Sequence, residues 1–510
     1  VDGHWELRAR CGDPVSKIRE GDVVLASDGH PVRGNTEMAR VLELGEEVVV
    51  STDEPVELHR LDVYPSEIGC DRMLTALHDA LLTGSEQKKD VLFGRRDPEF
   101  REVNEKFIVN NTAQNRAVRL AVGAEDCALI HGPPGTGKTY TIARIVRALT
   151  ERGERVLLSA FTNRAVDNAL SALTEQGFCD FVRVGTEHGV REDMQEYRLK
   201  TSGNPEKRAA ELQEAPVVAA TTASCGSRVM REQSFDVALV DEAGQLTEPA
   251  TLAALSLAER FVLVGDHQQL PPVVQATDAA NGATDEFADT TNAVTARSDG
   301  GIRKKADLSR SLFERLVETH PDASVLLDKQ YRMAQRVQAF SSSEFYEGAL
   351  RPATPEVASQ QLSDLPAVDA DALPEHLKER VAFIDPDGEA HGNTNPAEVE
   401  AVAEVIEEFV AAGVAREDIG VIAPFRAQAA AIRRAVSGVT VDTVDRFQGS
   451  AKEVIIVSFV ATGNLASPIF EDYRRVNVAL TRAKKALVLV GDRETLASDD
   501  RYARMVEWAA

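Results

Sequence analysis

Residues 132–139 read Gly-Pro-Pro-Gly-Thr-Gly-Lys-Thr, a glycine-rich loop with the G-x-x-x-x-G-K-[ST] spacing. Its glycines let backbone N–H groups point closely at phosphates, next to a helix amino end. The lysine can reach the β- and γ-phosphates, and the last hydroxyl can ligate Mg²⁺. The loop therefore predicts a site for a nucleoside triphosphate. The residues predicted to bind it are Gly132, Pro133, Pro134, Gly135, Thr136, Gly137, Lys138 and Thr139.

Two further groups of polar residues follow apolar runs later in the chain. Asp241 can hold Mg²⁺ through water, and Glu242 can position and deprotonate an attacking water. An acidic pair after a strand is a weak signal, which its distance of roughly 100 residues from the phosphate loop strengthens. Gln269 lies in the segment 265–272, Gly-Asp-His-Gln-Gln-Leu-Pro-Pro, and its amide can bond the γ-phosphate.

Two arginines in the second half of the chain are candidates for phosphoryl-transfer chemistry. Arg332 lies in Gln-Tyr-Arg-Met, residues 330–333, and Arg482 ends Asn-Val-Ala-Leu-Thr-Arg, residues 477–482. Arginine fingers stabilise the charge that spreads over a transferring γ-phosphate. Because a single arginine is usually a surface ion pair, this prediction rests on the whole set of residues.

Alternating apolar runs and helical patterns supply the elements that must hold these residues. A strand at 127–130 precedes the loop and a helix at 140–150 follows it, with further strands at 155–159, 217–220, 237–240 and 261–264. This alternation predicts an α/β, doubly wound parallel sheet. A second series begins near Val325, with strands at 419–423, 454–458 and 486–490. It has no second phosphate loop, so we expect one nucleotide in a cleft that the second domain completes.

The most regular helix of the second series is predicted at 396–412. Asn395 supplies the N-cap, Pro396 fills the first turn, and Glu398 is expected to complete a capping box. Gly413 is expected to end the helix.

The remaining segments give the predicted domain organisation. Residues 1–65 hold short apolar alternations and predict a small β-barrel, and residues 66–110 predict a charged helical stalk. The first α/β domain is predicted at 111–318 and the second at 319–510. Residues 275–307 lack large apolar side chains and predict a flexible insertion within the first domain.

Composition limits the class of protein without deciding its partner. The 510 residues carry 57 Lys and Arg against 82 Asp and Glu, a net charge of −25. This acidity suits a surface for high salt, although an ordinary acidic protein remains the alternative. Five scattered cysteines and the lack of a long apolar run predict a cytoplasmic protein with no membrane segment. Since the chain begins at Val1, we expect a processed or truncated piece.

The ordered set of motifs resembles superfamily-one helicases of the 5′→3′ branch, which include the nonsense-mediated-decay RNA helicase. Within the branch it is most similar to the helicase half of the flap-processing replication nuclease–helicase, through 165–168, 261–272 and the pair 58–62 and 97–100. The set comprises Asn111-x-x-Gln114 and residues 132–139, 159–168, 241–245, 265–272, 330–333, 423–426, 442–449 and 475–482.

The resemblance implies two RecA-like P-loop helicase domains in tandem, with ATP and Mg²⁺ as cofactors and single-stranded DNA, or RNA, as partner. It implies that Asn111 and Gln114 bind the nucleotide, Gln114 at the adenine edge, and that Tyr331 stacks on the base. The residues implied to contact the single strand are Thr162, Asn163, Thr222, Arg426 and Thr443.

Two departures from the family pattern affect the expected function. Ala451 stands where the family generally has a carboxylate, so ATP affinity or coupling is expected to be weaker. The Fe–S nuclease domain of the replication family is absent from this sequence, which leaves either a stand-alone helicase or a truncated piece whose nuclease domain or subunit lies outside the chain.

The motifs together predict an ATP hydrolase acting as a 5′→3′ DNA helicase in replication or repair, with the polarity taken from the resemblance alone. An RNA helicase of the decay type is one alternative. A nucleic-acid-binding ATPase switch that does not unwind is the other, and Ala451 lends it weight.

Overall fold

The computed structural model describes residues 5–10, 18, 23–30, 34–44, 47–52, 54–63, 67–82, 84–200, 205–273, 308–447, 449–465, 470 and 472–510. The predicted insertion at 275–307 lies outside the described residues. Within them, no helix is both long enough and apolar enough to cross a membrane.

The chain begins with a five-stranded antiparallel sheet in the order β1-β4-β3-β2-β5. Alternate side chains, among them Val24, Val41 and Val50, form a small core on one face. The antiparallel strands agree with the barrel predicted for this region. The strands are β1 (Trp5–Arg10), β2 (Val23–Ser27), β3 (Thr36–Leu44), β4 (Glu47–Thr52) and β5 (Arg60–Val63).

Two helices follow, α1 (Glu67–Leu82) and α2 (Glu86–Leu92), in the segment predicted as a stalk. Both are anchored on the α/β unit that comes next. Arg72 of α1 donates a 3.0 Å hydrogen bond to the carbonyl of Ala223, and Lys88 of α2 donates one of 2.6 Å to the carbonyl of Ala258.

The next unit contains a parallel seven-stranded sheet in the order β12-β6-β11-β10-β7-β9-β8. Side chains of β6 alternate between two core layers, with Ile130 in one and Leu129 in the other, so both faces are covered. The strands are β6 (Cys127–His131), β7 (Val156–Ala160), β8 (Phe181–Val184), β9 (Val217–Thr221), β10 (Phe235–Asp241), β11 (Ala258–Gly265) and β12 (Ser324–Leu326). The helices are α3 (Thr112–Gly123), α4 (Lys138–Thr150), α5 (Asn163–Glu175), α6 (Pro205–Glu214), α7 (Thr222–Cys225), α8 (Arg228–Arg231), α9 (Glu248–Leu255) and α10 (Leu312–Thr319).

The last unit contains a parallel five-stranded sheet in the order β15-β19-β18-β16-β17. The strands are β13 (Lys329–Gln330) and β14 (Arg351–Pro352), which pair with each other, and β15 (Val381–Ile384), β16 (Ile419–Ala423), β17 (Thr440–Thr443), β18 (Lys452–Ser458) and β19 (Ala483–Val490). The helices are α11 (Gln335–Phe345), α12 (Pro355–Ser359), α13 (Pro396–Ala411), α14 (Arg426–Ala435), α15 (Val444–Phe447), α16 (Arg474–Leu480), α17 (Arg493–Leu496) and α18 (Asp500–Ala509).

The two parallel sheets confirm the predicted α/β fold class, and the predicted strands appear within a few residues of their expected bounds. Strand β12 pairs in parallel with β6, so the first sheet takes a strand from beyond residue 318, where the sequence placed the division. The domain bounds themselves stay a prediction.

The cap of α13 differs from the prediction in one respect. Asn395 is the N-cap, and its side chain accepts from the backbone N–H groups of Ala397 and Glu398. The predicted capping box is wrong, because the Glu398 carboxylate does not return to the Asn395 N–H group. That N–H group donates instead to Gln428 Oε1 at 3.0 Å.

Candidate active site

The phosphate loop connects the carboxyl end of β6 to the first turn of α4. Gly135 and Gly137 have φ values of +76° and +74°, a conformation that favours glycine. A Cβ atom at Gly132 would lie 2.3 Å from Lys138 Cγ, so a larger residue here would displace the lysine side chain from its observed position. The Lys138 ammonium donates to the Gly132 carbonyl, which curls the side chain over the loop. A loop of this shape fits the phosphates of a nucleotide.

Charges from both α/β units surround Lys138. Burial lowers the pKa of its ammonium, and the carboxylates of Asp266 and Asp241 act in the opposite direction. The guanidinium groups of Arg332 and Arg482 lower the pKa of Lys138 further. The single phosphate loop therefore lies within electrostatic reach of two arginines from the second unit.

The acidic pair lies at the end of β10, two strands from the phosphate loop. Asp241 is buried and accepts a 2.8 Å hydrogen bond from the Glu242 N–H group at Oδ1. Burial raises the pKa of both carboxyls, that of Glu242 to about 7, with the neighbouring Asp241 charge contributing to the latter. Glu242 has φ +54°, an uncommon conformation for this residue type that is found at functional sites.

Asp266 is the centre of a buried hydrogen-bond network between the two units. His131 Nε2 lies 2.8 Å from its Oδ1, and Gln269 Nε2 donates to its Oδ2 at 2.6 Å. The hydroxyl of Tyr346, the residue that follows α11, also donates to Oδ2, at 2.8 Å, and accepts from Asn477 of α16 at 2.9 Å. Burial alone would raise the pKa of Asp266, but the His131 hydrogen bond and charge hold it well below its ordinary value.

Both candidate arginines face this region from the second unit. Arg482 Nη2 lies 3.5 Å from Gln269 Oε1, and its Nε donates to the Val478 carbonyl. Arg332 Nη1 donates a 2.9 Å hydrogen bond to the Thr481 carbonyl. Burial lowers the pKa of Arg332 to about 10 and that of Arg482 to about 9, and each stays charged at neutral pH.

The residues predicted at the nucleotide base lie together beside the loop. Gln114 Nε2 donates to the Thr136 carbonyl at 2.9 Å, and the Asn111 side chain caps α3 and donates to the Tyr331 hydroxyl at 3.0 Å. The Tyr331 N–H group donates to the Gly135 carbonyl, while its side chain is 46% exposed. An exposed ring fixed beside the loop is suited to stacking on a base.

The candidate magnesium ligands are oxygen groups, which this cation prefers. Thr139 is partly buried in the first turn of α4, and Asp241 points a buried carboxylate from the end of β10. Groups of three or more His, Cys, Asp or Glu residues arranged for a metal do not occur among the described residues. The Thr139 hydroxyl and the Asp241 carboxylate are oxygen groups that would hold Mg²⁺ beside a bound nucleotide.

The five residues predicted at the single strand lie at the carboxyl ends of strands other than those that carry the phosphate loop, Gln269 and the acidic pair. Thr162 and Asn163 follow β7 and are exposed, whereas Thr222 follows the neighbouring β9 and is buried. In the second sheet, Arg426 begins α14 after β16, and Thr443 is buried at the end of the adjacent β17.

Several residues of interest were not predicted from the sequence. Asp266 and Asn477 lie inside the motifs 265–272 and 475–482, but no local pattern shows that Tyr346 hydrogen-bonds to both of them. Phe161 is an aromatic residue that is 46% exposed between β7 and Thr162. Its position at a strand end, inside the segment 159–168, is the signal that could have identified it.

Comparisons with known proteins agree with this fold. Two family models, each described as an AAA domain, match residues 110–211 and 200–277, and residues 308–494. The DNA replication ATP-dependent helicase/nuclease of Arabidopsis thaliana is 36% identical over 405 residues, covering 76% of this chain and 28% of the relative. The Saccharomyces cerevisiae protein of that description is 31% identical, covering 81% of this chain and 28% of the relative.

An uncharacterized ATP-dependent helicase of Methanocaldococcus jannaschii is 29% identical, and the match covers 97% of this chain and 86% of that protein. The chain spans only 28% of the length of each of the two replication relatives.

The fold and the residues at its cleft define a P-loop nucleoside triphosphatase built from two α/β units. The chain belongs to the superfamily-one helicases, which are ATP-hydrolysing enzymes with tandem RecA-like domains.

Proposed function

We propose that this chain is an ATP-dependent DNA helicase that moves 5′→3′ on single-stranded DNA in replication or repair. The observation that supports it most directly is the convergence of both units on one phosphate loop. Arg482 of the second unit lies 3.5 Å from Gln269 of the first, and both residue types can report the γ-phosphate.

Each residue at the cleft has a proposed role. Lys138 holds the β- and γ-phosphates, and Thr139 and Asp241 hold Mg²⁺. Glu242 orients the attacking water and accepts its proton. Arg332 and Arg482 stabilise the charge on the transferring phosphoryl group, as arginine fingers do.

Hydrolysis of ATP supplies the free energy for movement, and the chain's own residues convert it into a change in the relative position of the two α/β units. In the proposed cycle, the contact between Gln269 and Arg482 breaks after hydrolysis, and the cleft between the units opens. The Asp266–Tyr346–Asn477 hydrogen bonds cross the same boundary and couple the opening to both sheets.

We propose that the single strand lies across the carboxyl ends of β7, β9, β16 and β17. Thr162 and Asn163 offer short polar groups to phosphates, and Phe161 offers a ring for base stacking. Contacts of this kind need no basic surface, so they are compatible with a net charge of −25.

DNA is the proposed substrate because the two replication relatives are named as DNA replication proteins. A cytoplasmic location and a nuclease domain or subunit outside the chain belong to the same proposal.

Strand separation on tailed substrates at molar salt tests the proposal. A duplex with a 5′ single-stranded DNA tail should be unwound with ATP, and one with a 3′ tail should not. Lys138→Ala should lose strand separation and stimulated ATP hydrolysis, because the loop loses its phosphate-binding charge. Lys378→Ala, an exposed lysine paired with Glu375, is the matched control and should behave as the wild type.

Each alternative predicts a different result in this assay. Preference for RNA tails would favour a decay-type RNA helicase. ATP-dependent binding without strand separation would favour an ATPase switch. The second outcome is favoured by Ala451, which stands where the family has a carboxylate. Its neighbours Ser450 and Lys452 both hydrogen-bond to Arg482, so this departure lies beside a proposed arginine finger.

A further inference from the structure

Glu398 is a fully buried carboxylate that the proposed ATP chemistry does not use. It lies in the first turn of α13, yet its hydrogen bonds reach residues about 60 positions later. The Val460 N–H group donates to Oε1 and Oε2 at 2.9 and 3.0 Å, and the Ser458 hydroxyl donates to Oε2 at 2.6 Å. The carboxylate therefore fixes the chain at the point where β18 ends.

The backbone held by Glu398 is strained. Val460 has φ +57°, and a β-branched residue in this region is an outlier that needs support from its surroundings. Further on, Thr462 Oγ1 accepts from the Ala390 N–H group at 3.1 Å, and Gly463 N donates to Thr495 Oγ1 at 2.6 Å. The segment 459–464 is therefore held in one conformation, with Gly463 exposed to solvent.

This segment lies at the carboxyl ends of the strands of the second sheet, where the proposed single-strand contacts also lie. Strands β18, β16 and β17 are parallel neighbours, so residues 459–464, Arg426 and Thr443 all lie at those carboxyl ends.

A buried chain of hydrogen bonds joins the segment to the turn that carries Arg426. Gln428, in the first turn of α14, donates to the Ser458 hydroxyl at 3.0 Å, and Ser458 donates to Glu398. Gln428 also accepts from the Asn395 N–H group. One buried carboxylate thus stabilises both the segment and the start of α14.

We propose that Glu398 is a positioning residue for nucleic acid, whose ionised carboxylate holds segment 459–464 in the conformation that binds the single-strand backbone beside Arg426 and Thr443. The inference rests on the proposed function, because it assigns the carboxyl ends of the second sheet's strands to the single strand.

Protonation would weaken this hold, because a neutral carboxyl accepts fewer hydrogen bonds and its own O–H group needs an acceptor. Burial raises the pKa of Glu398 to about 7, and hydrogen bonds from Ser458, Val460 and Asn395 only partly offset it. Glu398 accepts hydrogen bonds from the Asn395 amide, the Ser458 hydroxyl and the Val460 N–H group, and these three donors are uncharged.

The test measures binding of the full chain to a fluorescent oligothymidine between pH 6 and 8.5, at constant ionic strength. Nucleotide and Mg²⁺ are left out, because Glu242 titrates in the same range. The wild type should bind about three- to tenfold more weakly at pH 6 than at pH 8, the loss expected for a broken hydrogen bond. Histidine protonation would strengthen DNA binding on acidification, so it cannot produce this result.

Two variants separate positioning from general effects. Glu398→Gln should bind weakly at every pH, whereas Glu404→Gln, an exposed glutamate on the same helix, should follow the wild type. Circular dichroism shows that each variant is folded, and Ser458→Ala replaces Glu398→Gln if that variant does not fold. A pH-independent wild type, or a Glu398→Gln variant that titrates like it, would overturn the inference. A wild type that binds no single strand at any pH would instead overturn the proposed function.

Discussion

At the scale of single residues, burial and backbone conformation prepare the cleft for phosphoryl transfer. Glu242 is held in a left-handed conformation directly after β10, with its backbone N–H group bonded to Asp241. Lys138, Arg332 and Arg482 are partly or fully desolvated, and burial lowers the pKa of each. Charges removed from water interact more strongly with a phosphate than exposed ones do.

Glu242→Gln should lower the rate of ATP hydrolysis by about 10²- to 10⁴-fold, the range for loss of a general base. The amide keeps the shape of the side chain but cannot take the proton of water. Affinity for a fluorescent ATP analogue should change little. Glu259→Gln, an exposed glutamate at the start of β11, is the control. Full hydrolysis by Glu242→Gln would show that another group accepts the proton.

At the scale of elements, strand ends decide which residues meet. The carboxyl ends of β6, β11 and β10 carry the phosphate loop, Gln269 and the acidic pair, because these three strands are neighbours in the first sheet. In the second sheet, Arg482 directly precedes β19, at the amino end of that strand, whereas Arg426 and Thr443 are at carboxyl ends. The proposed nucleotide contact of the second sheet therefore lies at the amino end of a strand, and the proposed single-strand contacts lie at carboxyl ends.

Tyr346→Phe tests the coupling between α11, α16 and the first sheet. The substitution removes one of the donors to the Asp266 carboxylate and one of the two acceptors of the Asn477 amide N–H groups, a cost of about 1–2 kcal/mol. Stimulated ATP hydrolysis should fall about five- to thirtyfold, since 1.4 kcal/mol corresponds to a factor of about ten. Tyr502→Phe, whose hydroxyl bonds within the second unit to the Phe470 carbonyl, is the matched control. Equal rates in the two variants would contradict the coupling.

At the scale of the whole molecule, the acidic surface is the dominant property. The net charge is −25, and α13 illustrates its distribution with Glu400 and Glu404, both exposed and one helical turn apart. Like charges at this spacing repel each other. The folded state therefore carries a self-repulsion that counter-ions relieve.

Raising KCl from 0.1 M to 2 M should increase the melting temperature by several degrees, because the screening length falls from about 10 Å to below 3 Å. Thermal unfolding followed by circular dichroism measures this change. KCl is preferred to sulfate, which strengthens apolar burial by exclusion from the surface. A melting temperature that stays constant or falls would show that the acidity is not an adaptation to salt.

The sequence by itself determined the phosphate loop, the parallel α/β architecture and the residue types at the cleft. These features depend on local spacing: glycines at fixed positions make the loop, and continuous apolar runs make buried strands. The same local reasoning placed Glu398 in a capping box, which is wrong.

The tertiary structure decided which distant residues share one environment. Gln269 and Arg482 meet across 213 positions, Asp266 and Tyr346 across 80, and Glu398 and Val460 across 62. Strand β12 is likewise far from β6 in the sequence, and the fold brings the two strands together as neighbours in the first sheet. The order of strands and the packing of helices set these contacts, because a buried polar group takes the partner that the fold brings within hydrogen-bond distance.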